Sequence, residues 1–169
     1  MRHLTPRDFT VQPWKNGRGQ TIEMLRIETE DGLLLRLSRA SVVEDGPFSL
    51  FPGVERNLTV LTGPGFRLTG PGLDLRCAPL VPVAFPGDVA VVATETAGQA
   101  SDDFNVMTAR HLPRPEVTAC SAPARFAADL VTLYALGPAV VDGTPIAAGD
   151  LVLAEGELSL QDGGPVLAV

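Results

Sequence analysis

Pro82-Val83-Ala84-Phe85-Pro86-Gly87-Asp88-Val89-Ala90-Val91-Val92 has an echo further along the chain, Pro145-Ile146-Ala147-Ala148-Gly149-Asp150-Leu151-Val152-Leu153. In both, a short lead-in ends in Gly-Asp and an apolar strand opens. Glycine at such a corner supplies a positive φ, and aspartate bonds nearby backbone N–H groups in the turn. The upstream halves correspond as well: Leu61-Thr62-Gly63 precedes the first copy and Leu136-Gly137-Pro138 the second. Asp88 and Asp150 are 62 residues apart, close to the length of one small β-barrel unit. Gly-Asp is also a common hairpin dipeptide, so chance is the competing reading. A duplication places the boundary where Pro113, Pro115 and Pro123 cluster, giving residues 1–112 and 113–169 as two barrels with shared strands in one compact unit.

Working outward, 17 Gly and 15 Pro punctuate short apolar runs, a pattern of many short strands and few helices. Strands are expected at Gln20–Ile27, Leu33–Ala40, Asn57–Leu61, Phe66–Leu68, Leu73–Cys77, Val89–Thr94, Asn105–Ala109 and Leu130–Leu136. Shorter ones are expected at Ala139–Val141, Asp150–Ala154, Glu157–Gln161 and Val166–Val169. Only weak helical patterns occur, around Thr5–Val11 and at Arg125–Asp129. About twelve strands exceed what one flat sheet holds, so the fold class is all-β, a sandwich or barrel.

The 169 residues are 45% hydrophobic with 13 Lys and Arg against 20 Asp and Glu, a net charge of −7. The chain is globular, and no basic face is available to neutralise the phosphates of a duplex. No basic-then-apolar leader and no run of 18 apolar residues is present, so neither a signal peptide nor a membrane span is expected. Cys77 and Cys120 fit no metal-ligand spacing and read as free thiols of a reducing compartment, the cytoplasm.

The Leu-x-Gly and Gly-Asp-apolar pattern resembles the two-motif barrel of the cupin superfamily. Metal-dependent cupins carry two His and a Glu after the first Gly and a further His after the second strand. Here those places hold Phe66, Arg67 and Leu68, then Ala93 and Thr94, and the only histidines are His3 and His111. An imidazole metal site and any other cofactor are therefore not expected. Trp14-Lys15-Asn16-Gly17-Arg18-Gly19-Gln20-Thr21-Ile22-Glu23 narrows the resemblance to the HutD/Ves family. Arg36-Leu37-Ser38-Arg39-Ala40-Ser41-Val42 carries it on, running into Asp45-Gly46-Pro47-Phe48-Ser49-Leu50-Phe51-Pro52-Gly53-Val54-Glu55-Arg56. Phe85-Pro86-Gly87-Asp88 and Asp102-Asp103-Phe104-Asn105-Val106-Met107 complete it. The family motif has a further Gly where this chain has Arg18. The resemblance implies a bicupin, two cupin-like β-barrels in one chain. It also implies a part in bacterial histidine utilisation, with a pathway intermediate such as urocanate or formylglutamate as ligand, and regulation or metabolite sensing more than catalysis.

The residues themselves suggest a pocket. In Glu55–Leu61, alternation puts Arg56, Leu58 and Val60 on one face. If that face looks into the barrel, Arg56 points inward at its mouth. A buried guanidinium must be paired. The partner is either a ligand carboxylate or an internal one, Glu23 or Asp103. Arg36 and Ser38 share a face of the earlier strand Leu33–Ala40, turned either to a cavity or to solvent. Lys15 and Asn16, in a loop anchored by Trp14, present a cation and an amide or bond within the loop. Phe51 walls the pocket. Asp103, Asn105 and Met107 share a face, and Asn105 suits an amide or imidazole ligand or ties two strands.

No Ser-His-Asp or Cys-His set and no Gly-rich nucleotide loop is present. The reading is a metal-free binder of a small anionic metabolite with ligand residues Lys15, Asn16, Glu23, Arg36, Ser38, Phe51, Arg56, Asp103 and Asn105. A metal-independent lyase or isomerase using Glu23 or Asp103 as base is the alternative. The expected partner is the small anion, with no nucleic acid and no membrane; exposed strand edges also make a homodimer possible.

Overall fold

A computed structural model describes residues 1–14 and 19–169. The fold is all-β. Its strands are β1 (Arg2–Leu4), β2 (Thr10–Pro13), β3 (Gln20–Thr29), β4 (Gly32–Val42), β5 (Gly46–Pro47), β6 (Val54–Thr62), β7 (Phe66–Gly70), β8 (Leu73–Cys77), β9 (Val83–Pro86), β10 (Val92–Thr94) and β11 (Ser101–Ala109). They continue with β12 (Thr118–Cys120), β13 (Ala124–Ala135), β14 (Ala139–Val141), β15 (Thr144–Ile146), β16 (Leu151–Gly163) and β17 (Val166–Ala168). Among the described residues no helix is long and apolar enough to cross a membrane.

The chain divides into two compact units, Thr10–Pro115 and Met1–Phe9 with Glu116–Val169. In the first, a six-stranded sheet runs β2-β3-β4-β11-β6-β9 and a four-stranded sheet runs β5-β10-β7-β8. Neither order closes into a ring. Side chains from both sheets, among them Leu58, Val60, Phe66, Leu68, Phe85 and Val91, form one buried cluster. In the second unit one sheet runs β12-β17-β13-β16-β14-β15, with β1 paired to β16, over a core that includes Leu133, Val141, Val152, Leu158 and Leu160.

Three sequence expectations change. Residues 1–9, assigned from sequence to the first barrel, pair with the second unit: Arg2, His3 and Leu4 stand opposite Leu153, Val152 and Leu151. His3 Nε2 also meets Asp150 Oδ2 at 2.8 Å. The helical pattern at Arg125–Asp129 lies inside strand β13, because Ala124–Ala128 pairs with Gly156–Leu160 and sheet pairing outweighs local propensity. Around Thr5–Val11 the helix is one 3-10 turn, Pro6–Asp8. The Thr5 amide donates to the Asp8 carboxylate at 2.8 Å, and the chain then extends into β2.

The two Gly-Asp corners each join a short strand to the next, by different means. Gly149 has φ +93°, which favours glycine. Gly87 has no such φ; a side chain there would press on backbone, its Cβ 2.6 Å from the Phe51 carbonyl oxygen and 2.8 Å from that of Val54.

Candidate functional site

The six-stranded sheet lays its polar side chains in transverse rows. Antiparallel register places Arg36 (β4) opposite Met107 (β11), Met107 opposite Arg56 (β6), and Arg56 opposite Phe85 (β9). The next row is Glu23, Ser38, Asn105 and Leu58, and the one after it Thr21, Ala40, Asp103 and Val60. Successive members of one face are two residues apart, so the alternation legible in each strand becomes a patch. This patch floors a cavity of about 890 Å³. Its walls include Trp14, Phe48 and Phe51, and the Trp14 indole is held by a 2.9 Å hydrogen bond to Thr21 Oγ1.

Arg56 is 6% exposed. Its Nη2 donates to Asn105 Oδ1 at 2.9 Å and its Nη1 to the Ser49 carbonyl at 3.3 Å. Nε has no partner among the described residues. The guanidinium carbon lies 5.2, 5.4 and 5.0 Å from the ring centres of Phe48, Phe51 and Phe85. Three aromatic faces stabilise the cation where water cannot. Even so, burial pulls its pKa down to about 10, with the Asp103 charge opposing that shift and Arg36 adding to it.

Asn105 carries the connection on. Its Nδ2 donates to Asp103 Oδ1, so the amide accepts from a cation on one side and donates to a carboxyl on the other. Asp103 is 1% exposed and its Oδ2 has no hydrogen-bond partner among the described residues. Desolvation raises its pKa to about 7, against the lowering pull of Arg56 and of the Asn105 hydrogen bond. A half-satisfied carboxyl held near neutrality in a cavity is a group from which proton chemistry or charge-sensitive binding is expected.

Arg36 is differently placed. Its Nε donates to Glu23 Oε2 at 2.5 Å and its Nη1 approaches Met107 Sδ at 3.9 Å. Glu23 thus neutralises Arg36, leaving Arg56 as the buried cation with no hydrogen-bonded carboxylate among the described residues. That settles the two internal partners proposed for Arg56. Glu23 belongs to Arg36, and Asp103 reaches Arg56 only through Asn105.

The loop bearing Phe48 and Phe51 is pinned at both ends. Asp45 Oδ1 accepts from the Thr96 hydroxyl at 2.6 Å and the Thr96 amide at 3.1 Å, which lowers its pKa. In mid-loop, the Phe48 amide donates to the Val91 carbonyl at 2.9 Å. At the far end the Phe51 amide donates to the Gly87 carbonyl, and the Gly87 amide to that of Val54, both at 2.7 Å. Arg110 bonds Glu55 at 2.8 Å and clasps Asp88 at 2.8 and 2.9 Å, while its amide donates to the Gly53 carbonyl.

Of the residues picked from sequence, Arg36, Ser38, Phe51, Arg56, Asp103 and Asn105 line this one cavity. Glu23 is not part of the lining and reaches the site through its bond to Arg36. Lys15 and Asn16 lie outside the described residues. Sequence reasoning did not select Phe85, Met107 or the Ser49 carbonyl. Phe85 alternates with Val83, but that it faces Arg56 is visible only once β6 and β9 are in register. Among the described residues no group of three or more His, Cys, Asp or Glu is arranged to hold a metal ion.

Comparison with known proteins gives the family and the fold. The HutD family model matches residues 6–165. HutD from Pseudomonas fluorescens SBW25, solved in a formate condition, is 30% identical with a TM-score of 0.87, over 99% of this chain and 96% of that one. A conserved protein of unknown function from Pseudomonas aeruginosa PAO1 is 32% identical with a TM-score of 0.84, over the same shares. A bacterial pirin from Escherichia coli, in complex with nickel(II), is 8% identical with a TM-score of 0.66 over 99% of this chain and 96% of its own, a likeness of fold alone. Fold and cavity together define an all-β protein of cupin-like type. Within that class, the chain belongs to the HutD family.

Proposed function

We propose that this protein binds a small anionic metabolite in the cavity without a metal, and that it acts in the regulation of histidine utilisation in the cytoplasm. In this reading its two all-β units are the two barrels of a bicupin, and the ligand is formylglutamate-like or urocanate-like. The observation that carries the proposal is Arg56: a buried cation, caged by three rings, whose hydrogen bonds go to an amide and a carbonyl. A ligand carboxylate would supply the charge-assisted pair it lacks. Family membership supports a role related to that of HutD.

A thermal-shift screen with urocanate, imidazolone propionate, formiminoglutamate, formylglutamate, glutamate and formate tests it. A ligand at 100 times its dissociation constant adds about 2.7 kcal/mol, which raises Tm by roughly 5–10 °C for a chain of this size. Arg56→Met is expected to abolish the shift and Arg56→Lys to reduce it. A hit that survives Arg56→Met removes Arg56 from the site.

One observation favours a second reading, a metal-independent lyase or isomerase. Asp103 is a buried carboxyl with a pKa near 7 in the cavity wall, matched to general-base work at neutral pH. Glu23, the other candidate base, is committed to Arg36. Turnover of any screened compound that is lost in Asp103→Asn would establish this reading; binding without turnover would exclude it for that compound.

A further inference from the structure

Arg56 and Asp103 are joined through a single side chain. Arg56 donates to Asn105 Oδ1, and Asn105 donates to Asp103 Oδ1. The three residues sit on adjacent strands with their polar atoms away from water. Asp103 Oδ2 has no partner among the described residues. Among the described residues the negative charge that balances Arg56 is therefore that of Asp103, at one residue's remove. Arg36 has its own counter-charge in Glu23.

An incoming carboxylate contends for the same cation. If it pairs with Arg56 while Asp103 stays ionised, two negative charges share one buried site around one guanidinium. Like charges in such a site do not both persist; one of them takes a proton. The ligand carboxylate, in direct contact with Arg56, is the one held ionised. Asp103, one side chain away and with an oxygen that has no hydrogen-bond partner among the described residues, is the one that protonates.

Resting on the anion-binding reading above, we propose that Asp103 is the resident counter-charge of Arg56 and that an anion enters the cavity together with one proton, which Asp103 receives from solvent. The balance is simple: the ionised protein, the anion and one proton give the complex with Asp103 neutral, and total charge is conserved. Asp103 thereby sets which anions bind and at what pH. It is a positioning and specificity residue, and it need not touch the ligand.

The other groups around Asp103 do not do this. On β4, Arg36 is paired with Glu23 of β3, and Arg39, 3.6 Å from Asp102, pulls on Asp103 more weakly than Arg56 does, while the Asp102 charge pushes it the other way. Asp102, the neighbour on β11, is itself well exposed. On β8, Cys77 is held neutral by burial, which pushes its thiol up to about 12. Glu44 and Asp45 line the cavity on the β4–β5 side, where Asp45 is engaged by Thr96. From the four-stranded sheet, β10 contributes Ala93 to the cavity lining, and β7 contributes Phe66 and Leu68 to the adjoining core; none of the three carries a charge. Arg56 is the cation whose pull on Asp103 a ligand would remove.

Two measurements test the proposal separately from the binding reading. The first needs no ligand. The Asp103 carboxyl is followed by carbon-13 NMR across pH 5 to 9 in the wild type and in Arg56→Met. Removing the cation is expected to move the midpoint up from about 7; an unmoved midpoint in a folded variant overturns the coupling. Arg56→Lys, which keeps the charge, is expected to leave the midpoint close to that of the wild type.

The second is calorimetric titration with N-formylglutamate in buffers of different ionisation enthalpy at pH 8. Its carboxyls stay ionised above pH 6, so they contribute no proton change. Uptake near one proton per ligand is expected, with affinity falling toward about tenfold per pH unit above neutrality. Asp103→Asn is expected to abolish both the uptake and the slope, so that whatever affinity the variant has no longer changes between pH 7 and 9. Binding without proton uptake overturns the proposal and leaves the anion site standing. If neither N-formylglutamate nor any other screened compound binds, the anion-binding reading fails, while the Arg56→Met result still decides the coupling.

Discussion

Arg56 and Asn105 hydrogen-bond diagonally across two strands. Register sets Arg56 against Met107 and Asn105 against Leu58, yet Arg56 Nη2 reaches Asn105 Oδ1 at 2.9 Å. A diagonal neighbour on an antiparallel pair is within reach of a long side chain, and the guanidinium uses that reach. The bond also orients the Asn105 amide, whose Nδ2 is then turned to Asp103. Asn105→Leu should leave both charged neighbours without their shared partner and cost roughly 1–3 kcal/mol. Urea denaturation of Arg56→Met, Asn105→Leu and the double variant should show a coupling of about 0.5–3 kcal/mol. Additivity within error would mean that the bond adds nothing to stability.

Asp103 should make stability fall as pH rises toward neutrality. Its carboxyl titrates near 3.8 in an unperturbed setting and near 7 here, so the folded state holds the proton more tightly. The stabilisation is complete below about pH 4, is lost as pH climbs to about 7, and is level above; a shift of this size corresponds to roughly 4 kcal/mol as an upper bound. Asp45, Asp74 and Asp88 have lowered pKa values and act in the opposite sense, at more acidic pH, so they do not mask the effect. Melting curves between pH 5 and 8 should show Asp103→Asn gaining on the wild type as pH rises. A constant difference across that range would place the Asp103 carboxyl in an ordinary, solvated environment.

Alternation within single strands was enough to group Arg36 with Ser38 and Asp103 with Asn105. It could not show that these pairs, with Arg56, fall on one floor, because that depends on register between β4, β11 and β6, strands separated by long stretches of chain. The same gap hid Phe85, which reaches Arg56 only through the β6–β9 pairing. The assignment of Glu23 to Arg36 was equally hidden. Sequence offered Glu23 as a partner of Arg56, and β3 instead sets it beside β4. The ends of the chain misled for a related reason: residues 1–9 join the second unit by pairing β1 with β16, a contact spanning nearly the whole sequence that no local pattern announces. Weak helical periodicity at Arg125–Asp129 was overridden by the ladder between β13 and β16.

The two Gly-Asp corners should respond differently to alanine. At Gly149 the cost is backbone strain, since φ is +93°, and Gly149→Ala should lower stability by about 1–2 kcal/mol while leaving affinity for an anion at Arg56 unchanged. At Gly87 a Cβ would meet the Phe51 and Val54 carbonyls at 2.6 and 2.8 Å, so the loop must shift and carry Phe51 off Arg56. Gly87→Ala should therefore lower Tm and also weaken binding of whichever screened anion binds, read by titration calorimetry. Equal affinity in Gly87→Ala and the wild type would show that the position of Phe51 does not matter to the site.

Cys77 offers a chemical probe of how tightly the cavity unit is closed. Its side chain is fully buried on β8 in the cluster with Phe66 and Leu68. Burial, with a smaller contribution from the Asp103 charge, pushes its thiol up to about 12. The thiolate is the reactive form, so at pH 8 Cys77 is both shielded and protonated. Cys120 in the second unit is half-buried, and its pKa is raised by desolvation as well. A colorimetric thiol reagent at pH 8 should modify Cys120 slowly in the native protein and reach Cys77 only on denaturation, one equivalent and then two. A Cys120→Ser variant makes the measurement specific to Cys77. If that variant reacts in native buffer at a rate close to that of Cys120, then β8 opens readily, and the dry surroundings that raise Asp103 and cage Arg56 are not maintained in solution.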